Sequence, residues 1–490
     1  MGSRFEPEGT IVLFNPRSTR AIGDSTLPMG LLMASSYAAQ RFRVVIVDQR
    51  LEAAWRRRVA ELLDRRPLCL GVTAMTGRQI VEGLKVSQMA RKAGCPVVWG
   101  GVHASLLPAQ TVAHPCVDYV IEGEGEETLS ELAQHLSQGL RPAGLRGVWA
   151  MENGVPHSGG ARPLVDVNAL PETPYHLVEL DRYICEGRYG RFLTLYSSRG
   201  CPQRCTFCYN HSFNRGRWRA FSANRVLDEI VRLTATHPCL EHIQFWDDNF
   251  FAHLGRAREI ASGITRLEHR VTWSVLGAHV RDLIRMDDDY LEDLRASGFK
   301  EVVVGIESGS QRVLDGIRKN FLIEELITVN RRLASYGIRP TYSFLSGVPG
   351  ETDEDIRKTV DVMFRLKKDN RAILFGTVKP FVPYPGTELY EAALALGFRP
   401  PSTLEGWGGF VWSNYLGIDI PWVSKKRRRF LAYLYYYSVL TNPDYLFIRS
   451  RLFSAVARGL RPLAEWRLKR LEFRVPVLAL IMHRIRRALL

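Results

Sequence analysis

Three thiols within eight residues, Cys201, Cys205 and Cys208, are the side chains whose type and spacing most directly imply chemistry. They lie in Ser198-Arg-Gly-Cys-Pro-Gln-Arg-Cys-Thr-Phe-Cys-Tyr-Asn210, a C-x3-C-x2-C pattern that puts three thiolates on one short loop. Three cysteines hold three irons of a four-iron cluster and leave the fourth iron open to a substrate or cofactor ligand, whereas four would close it. A structural zinc site with His211 as fourth ligand uses the same residue types. Such sites usually pair two separated ligand knuckles, and here every candidate falls in one loop.

A loop of this kind needs a scaffold, and the hydrophobic pattern supplies two. Strand-like runs at 192–196, 242–246, 272–276, 301–305, 341–346 and 372–379 alternate with helical segments such as 223–236 and 356–367. Six β/α units predict a partial (β/α)6 TIM barrel with its site at the C-terminal ends of the strands. The cysteine loop follows the first of them. Upstream, apolar runs at 11–14, 44–47, 68–72, 97–99 and 119–121 alternate with helical patterns such as 78–93 and 128–136. That predicts a parallel α/β sheet of flavodoxin-like or Rossmann-like layout, whose ligands bind beyond the carboxyl ends of the strands. The Gly- and Pro-punctuated stretch 139–174 reads as a linker carrying a small hairpin at Asn153-Gly154. After about Trp407 the chain is helical, aromatic and basic.

Taken in order, the strand-end strings carry a resemblance. C-x3-C-x-aromatic-C after a first strand is the signature of the radical S-adenosylmethionine superfamily. Gly305-Ile-Glu-Ser-Gly-Ser310, Gly347-Val-Pro-Gly-Glu-Thr352 and Tyr384-Pro-Gly-Thr-Glu-Leu-Tyr390 match its later strand-end loops. The resemblance covers about 190–400. It implies a 4Fe-4S cluster on Cys201, Cys205 and Cys208, whose open iron chelates the amino and carboxylate groups of S-adenosylmethionine. One electron then cleaves the sulfonium to a 5′-deoxyadenosyl radical. The same resemblance places Phe207 near the adenine, and Glu307 and Ser308 near the cofactor. Asp247-Asp248-Asn249 stands where the superfamily commonly has Gly-Gly-Glu for the methionine amine, which makes Asp247 and Asp248 the candidate contacts. By itself Glu307 reads equally well as a carboxylate at a helix N-terminus.

Three further strings end strands of the first sheet: Thr73-Ala-Met-Thr-Gly77, Gly100-Gly-Val-His-Ala-Ser105 and Glu122-Gly-Glu-Gly-Glu126. Singly each is ordinary turn chemistry. Glycine-rich strand–helix turns can also cradle phosphates with their amides, and Thr73, Thr76 and Ser105 add hydroxyls. Together with Asn15-Pro16, Leu27-Pro-Met-Gly-Leu31 and Val47-Asp-Gln-Arg50, the strings resemble the cobalamin-binding domain of the superfamily's B12-dependent branch. The contacts implied are Thr73, Met75, Thr76, Gly77, Gly100, Gly101, His103, Ser105, Gly123, Glu124, Gly125 and Glu126. The Asp-x-His-x-x-Gly string that ligates cobalt through histidine is missing. The resemblance therefore implies cobalamin held without a protein histidine, with His103 part of the Gly-Gly motif instead. The resulting organisation is a cobalamin-binding domain at 1–140, a linker at 141–190, a radical core at 191–405 and a basic helical region at 406–490.

The net charge of +15 at first suggests a nucleic-acid or membrane partner. Its distribution argues otherwise: 425–490 holds 16 Lys and Arg against 3 Asp and Glu, while the preceding 424 residues hold 50 against 48. Apolar residues recur there at helical spacing, so amphipathic helices are expected. They could pack against the core or dock on an anionic membrane surface. No nucleic-acid motif accompanies them. A hydrophobic content of 46% with 24% charged residues is that of a globular protein. No apolar run, the best being 475–482, approaches the roughly 18 residues of a membrane span. The first ten residues show no secretory pattern, and eight cysteines in a chain this long suit a reducing compartment, so a cytoplasmic location is expected.

The expected activity is methyl transfer to an unactivated carbon of a small-molecule or lipid-like substrate through the deoxyadenosyl radical and methylcobalamin. An electron donor such as flavodoxin or ferredoxin is expected alongside. The alternatives are a non-methylating radical enzyme of the same branch (a cyclase, oxidase or ring-contracting enzyme) and, from another class, a zinc-binding scaffold protein.

Overall fold

Two seven-stranded sheets form where the apolar runs fall, and the chain divides around them into two compact units. The computed structural model describes residues 7–18, 26–441 and 451–473. One unit comprises Met1–Cys185, Tyr384–Gly386 and Pro400–Val411, the other Glu186–Pro383, Thr387–Arg399 and Trp412–Leu490.

The first sheet contains β1 (Thr10–Asn15), β2 (Arg43–Asp48), β3 (Cys69–Thr73), β4 (Val97–Gly100), β5 (Tyr119–Ile121), β6 (Val148–Glu152) and β7 (Val155–Ser158), in the order β2-β1-β3-β4-β5-β6-β7. β1 to β5 pair in parallel. This is the flavodoxin-like order, whose topological switch point lies between β1 and β3. Near-continuous apolar runs make such strands because helices cover both faces; Ile11, Val12, Val97 and Val98 are all buried. Trp99 is fully buried as well, and its indole N–H donates to Ser87 Oγ at 3.0 Å. The hairpin falls at Asn153-Gly154, with φ of +50° and +80° as a type I′ turn requires. Its strands β6 and β7 are antiparallel and continue the first sheet. Residues 141–158, read from sequence as linker, thus hold strands.

The second unit carries β8 (Cys185–Gly187), β9 (Gly190–Leu195), β10 (Ser198–Arg199), β11 (Arg219–Ala220), β12 (His242–Phe245), β13 (Thr272–Ala278), β14 (Phe299–Glu307), β15 (Arg339–Ser346) and β16 (Leu374–Pro380). Its large sheet runs β16-β15-β14-β13-β12-β9-β8, and β9 and β12 to β16 are parallel. This is the partial barrel that the six β/α units predict. Phe245, Phe250, Trp273 and Phe299 form a buried aromatic chain, with centroid separations of 5.0, 5.5 and 4.4 Å. That chain anchors the segment after β12, where Asp247 and Asp248 lie.

The helix Lys425–Leu440 covers the edge strand β16. Leu431, Leu434 and Tyr437 are buried, and Ser438 Oγ accepts the Val378 N–H at 3.0 Å, so the open edge of the sheet is capped. Two of its basic residues are engaged inside the unit: Arg427 pairs with Asp353, and Arg428 reaches Asp419 at 3.2 Å. A second helix, Arg451–Arg470, buries Ala464 and Leu468 and sets Glu465 2.5 Å from Lys367. The segments 475–482 and 483–490 lie outside the described residues. No described helix is long and apolar enough to cross a membrane. All eight cysteines are free thiols.

Beside the capped edge, Glu351 is buried and accepts the Gly347 N–H at 2.5 Å. Burial pushes its pKa up to about 7, against the opposing pull of that N–H and of Arg427. A carboxyl that holds its proton more tightly folded than unfolded adds stability below its unfolded pKa. That stability drains away as pH rises toward 7, by about 3 kcal/mol in all. Glu351→Gln is expected to flatten the pH dependence of the urea midpoint between pH 4.5 and 8. An unchanged slope would show that Glu351 is not the group responsible.

Candidate active site

The cysteine loop follows β9 and is held at several points. β10 and β11 pair antiparallel, Ser198 with Ala220 and Arg199 with Arg219, and close the loop at its base. Inside it, Cys208 N–H donates to Cys205 O at 3.1 Å, Thr206 N–H to Ile317 O at 3.1 Å, and Leu389 N–H to Thr206 O at 2.9 Å. Gly200, at φ +86°, leaves no room for a Cβ against Arg217 O. The three thiols are near enough to act on one another electrostatically. Burial pushes Cys201 up to about 11 and Cys208 up to about 12, and raises Cys205.

This donor set suits a cluster and not a zinc ion. A structural zinc ion usually draws four ligands from two separated knuckles, and the triplet supplies three from one loop. A cluster spreads its thiolates instead, each on its own iron. His211 turns Nδ1 toward Gly216, and that nitrogen is buried without a hydrogen-bond partner. Soft thiolates on one rigid loop, three in number, fit a 4Fe-4S cluster with an open iron.

Around the thiols the predicted contacts separate into two groups. Asp247 is buried and committed: it accepts Ser197 N–H and Ser197 Oγ, each at 2.7 Å, and the Ser198 hydroxyl. Burial raises its pKa, against those donors and Arg256. Asp248 is exposed, takes Gly200 N–H at 2.9 Å, and acts electrostatically on Cys201 and Cys208. Ser308 is fully buried, with Oγ 3.2 Å from Thr359 Oγ1, so its hydroxyl faces the interior. Glu307 ends β14 at φ +73°, beyond a register shift between Gly305 and Glu307. A non-glycine residue held there costs on the order of 1–3 kcal/mol and points to function.

Sequence reasoning missed the partner of Glu307. Lys319 Nζ lies 3.4 Å from Glu307 Oε1 and 5.7 Å from the Phe207 ring centre, and the lysine is only 7% exposed. Burial alone would lower its pKa; Glu307 and the thiols of Cys205 and Cys208 more than reverse that. Lys319 follows a short helix, Gln311–Gly316, and no spacing in the sequence marks it.

In the first unit the predicted strings gather at the carboxyl end of the sheet. Gly101 has φ +88°, and a Cβ there would lie 2.7 Å from Thr73 Oγ1 and 3.0 Å from the backbone N and O of Ala74. The turns after β3 and β4 thus touch through glycine. Ser105 Oγ donates to Gly101 O at 2.8 Å and accepts Gly123 N–H at 2.9 Å, joining the turns after β4 and β5. Glu124 accepts Val165 N–H at 2.9 Å, and Glu126 is buried. His103 is fully buried, edge-on to Trp407 at 5.6 Å, and its Nδ1 bonds Thr76 Oγ1 at 2.9 Å. Burial pushes it down to about 4, and its Nε2 has no hydrogen-bond partner. So enclosed, His103 braces the turn through Thr76. Met75, 53% exposed, is the large apolar side chain that this end presents. Behind it Asn15, Arg50 and Tyr183 converge on Asp48, at 3.1, 2.6 and 3.1 Å, and so lock the turns after β1 and β2. Glycine-lined turns over a switch point, with one exposed thioether, fit a cobalamin.

Comparison with known proteins supports the cofactors read from both sets of motifs. Residues 195–363 match the radical SAM superfamily, and residues 19–133 match the B12 binding domain. An uncharacterised methyltransferase of Pyrococcus horikoshii is 30% identical over 381 residues, spanning 77% of this chain and 80% of its own. An anaerobic magnesium-protoporphyrin IX monomethyl ester cyclase of Rubrivivax gelatinosus is 25% identical, over 74% of this chain and 64% of that one. Two solved structures share the fold. The radical S-adenosylmethionine methyltransferase TsrM of Kitasatospora setae, with cobalamin and a [4Fe-4S] cluster bound, has a TM-score of 0.66 and 21% identity, covering 79% of this chain and 78% of that one. The cobalamin-dependent S-adenosylmethionine radical enzyme OxsB, with aqua-cobalamin and S-adenosylmethionine bound, has a TM-score of 0.75 and 17% identity, covering 98% and 75%. A thiol triplet on a strand-end loop, a cobalamin-type sheet ahead of it and a 30% identical relative over four fifths of that relative's length leave one conclusion: the chain belongs to the cobalamin-dependent radical S-adenosylmethionine enzymes, whose cofactors are a 4Fe-4S cluster, S-adenosylmethionine and cobalamin.

Proposed function

We propose that this enzyme methylates an unactivated carbon of a small-molecule or lipid-like substrate. The observation that carries the reading is the 30% identity to a methyltransferase over four fifths of that relative's length. When bound, the cofactors supply a one-electron cleavage of the sulfonium, a hydrogen-abstracting radical and a transferable methyl group. The chain's own residues do the rest. Cys201, Cys205 and Cys208 hold the cluster, and the stapled loop fixes its open side. Asp248 is the exposed carboxylate available to the methionine amine, while Asp247 fixes the loop's serines. Phe207, within the loop, offers a stacking surface for adenine. Thr73 to Gly77, Gly100, Gly101 and Ser105 shape the cobalamin cradle. Met75 offers a non-ionisable face to the corrin.

Labelled methyl S-adenosylmethionine, supplied to the anaerobically reconstituted enzyme with a reductant, tests this. The label is expected first on the corrinoid and then on carbon in a product extracted from the source cell's metabolites. Deoxyadenosine release with no label reaching the corrinoid would favour the cyclase-like reading, which rests on the R. gelatinosus relative. A one-electron carrier, flavodoxin or ferredoxin, is the proposed natural donor. A peripheral membrane association in the cytoplasm is also proposed. It rests on Leu463 and Trp466, 42% and 46% exposed, with the Arg470 guanidinium 4.7 Å from the Trp466 ring.

A further inference from the structure

We propose that the solvent face of the cysteine loop, marked by Arg204 and Arg217, is the docking surface for an acidic one-electron carrier protein. The inference rests on the cluster reading of the thiols and deepens the proposed donor by giving it a place. The loop lies in an island of positive charge. Residues 187–227 hold eight arginines and no lysine, aspartate or glutamate, in a chain whose first 424 residues hold 50 basic groups against 48 acidic ones. Arg204 and Arg217 stand out within that island. Both are exposed, and among the described residues neither guanidinium has a hydrogen-bond or ion-pair partner. Arginine elsewhere on this unit is paired: Arg318 reaches Glu388, Arg331 reaches Asp369 and Arg365 reaches Glu324, each at 2.8 Å. An unpaired surface arginine sends its field into solvent, where it steers partners of opposite charge.

Position joins this charge to the redox site. Arg204 directly precedes Cys205. Arg217 is held beside Cys201 by the backbone: a Cβ on Gly200 would come within 2.0 Å of Arg217 O, and the pairing of Arg199 with Arg219 closes the ribbon next to it. Both charges therefore belong to the thiol loop itself. Electron transfer weakens steeply with distance, so a carrier has to be brought to this loop and not merely to the unit. Asp248, the acid that adjoins the loop, is engaged by the Gly200 N–H at 2.9 Å. The transfer balances simply. A flavin hydroquinone anion on the carrier gives up one electron and becomes the neutral semiquinone, the cluster gains that electron, and no bond or proton changes hands. Two unpaired arginines suit a small, transient encounter of this kind, whereas nucleic-acid binding commonly engages about 6–10 phosphates.

The test reduces the cluster-loaded enzyme in two ways and times the loss of its visible absorbance. One reductant is an acidic flavodoxin in its hydroquinone form; the other is the photogenerated deazariboflavin radical, which is small and neutral. Arg204→Glu/Arg217→Glu is expected to slow reduction by flavodoxin by about tenfold or more, within the range of electrostatic steering. Reduction by deazariboflavin should stay within about twofold, and the iron content should be the parent's. Raising the salt from about 0.01 to about 0.15 M shortens the screening length from about 30 to about 8 Å, and should slow flavodoxin with the parent far more than with the variant. Lys358→Glu/Lys368→Glu, an equal change of charge at two exposed lysines of the helix Asp353–Asp369, is the control and should leave both rates near the parent's. A parental flavodoxin rate in the arginine variant, an equal slowing in the lysine control, or an equal slowing with deazariboflavin overturns the proposal. So does single-stranded RNA that binds the parent and not the arginine variant while the two share one flavodoxin rate. A parent that deazariboflavin bleaches and flavodoxin does not overturns the donor, and a parent that neither bleaches overturns the cluster reading itself.

Discussion

Cys205→Ala is expected to leave the protein folded, strip its iron and lower 5′-deoxyadenosine formation by about a thousandfold or more, which corresponds to about 4 kcal/mol of barrier. The fold should survive because the loop does not depend on its thiols for shape. The β10–β11 ribbon, the Thr206 N–H to Ile317 O bond and the Leu389 N–H to Thr206 O bond all use backbone groups that alanine leaves in place. The iron should go because a cluster on three cysteines has no spare ligand. With two thiolates it would expose two irons to water and oxidant. Iron analysis, the visible absorbance of the anaerobic protein and the deoxyadenosine yield read the three parts of the expectation separately. Parental iron and parental deoxyadenosine in this variant would remove the triplet from the site. Zinc in place of iron in the parent would remove the radical chemistry altogether.

The parallel strands were legible because each is a short apolar run covered on both faces by helices, and such runs have few other places to go. Predicted and observed bounds of β1, β5, β12 and β15 differ by two residues at most. The hairpin was legible as Asn153-Gly154, but not its destination. Nothing in the sequence says that β6 pairs antiparallel with β5, because register between distant strands is set by tertiary packing. The last two helices show the same limit. Amphipathic spacing predicts helices, yet only the structure shows Lys425–Leu440 sealing the edge of β16 through Ser438.

Among site residues, legibility followed chemistry. Cysteines at fixed spacing and glycines at turns carry their reason in their type. Acids do not. Asp247 and Asp248 are adjacent and identical in sequence, yet one is consumed by Ser197 and Ser198 while the other stays exposed beside the thiols. Ser308, which its motif draws toward the cofactor, bonds Thr359 in the interior, a contact its residue type does not announce. Lys319 carried no signal at all, because a buried lysine looks like any surface lysine until the residues around it are placed. Its left-handed neighbours Arg318 and Asn320 are a property of the fold, invisible in residue type.

Gly101→Ala is expected to lower cobalamin retention by about tenfold or more while leaving the cluster intact. At φ +88° and ψ −176° the residue occupies a region open essentially to glycine, and an alanine forced into it costs on the order of 1–3 kcal/mol. Its Cβ would also meet Thr73 Oγ1 at 2.7 Å and the Ala74 backbone at 3.0 Å, and these atoms belong to the turn that leads to Met75. Relief requires the turns after β3 and β4 to part, which carries Met75, Thr76 and the His103 brace away from their positions. Gly94→Ala is the control. Gly94 is left-handed too, at φ +68°, but nothing lies within 4 Å of its Cβ, so it carries conformational strain without the collision. Cobalamin-to-protein and iron-to-protein ratios after gel filtration should separate the two variants: cobalamin lost in Gly101→Ala alone, iron kept in both. Equal cobalamin loss in both would mean that general destabilisation of the first sheet, and not the contact between its turns, governs the cradle. Full retention in Gly101→Ala would move the cobalamin site away from the switch point, and Met75 with it.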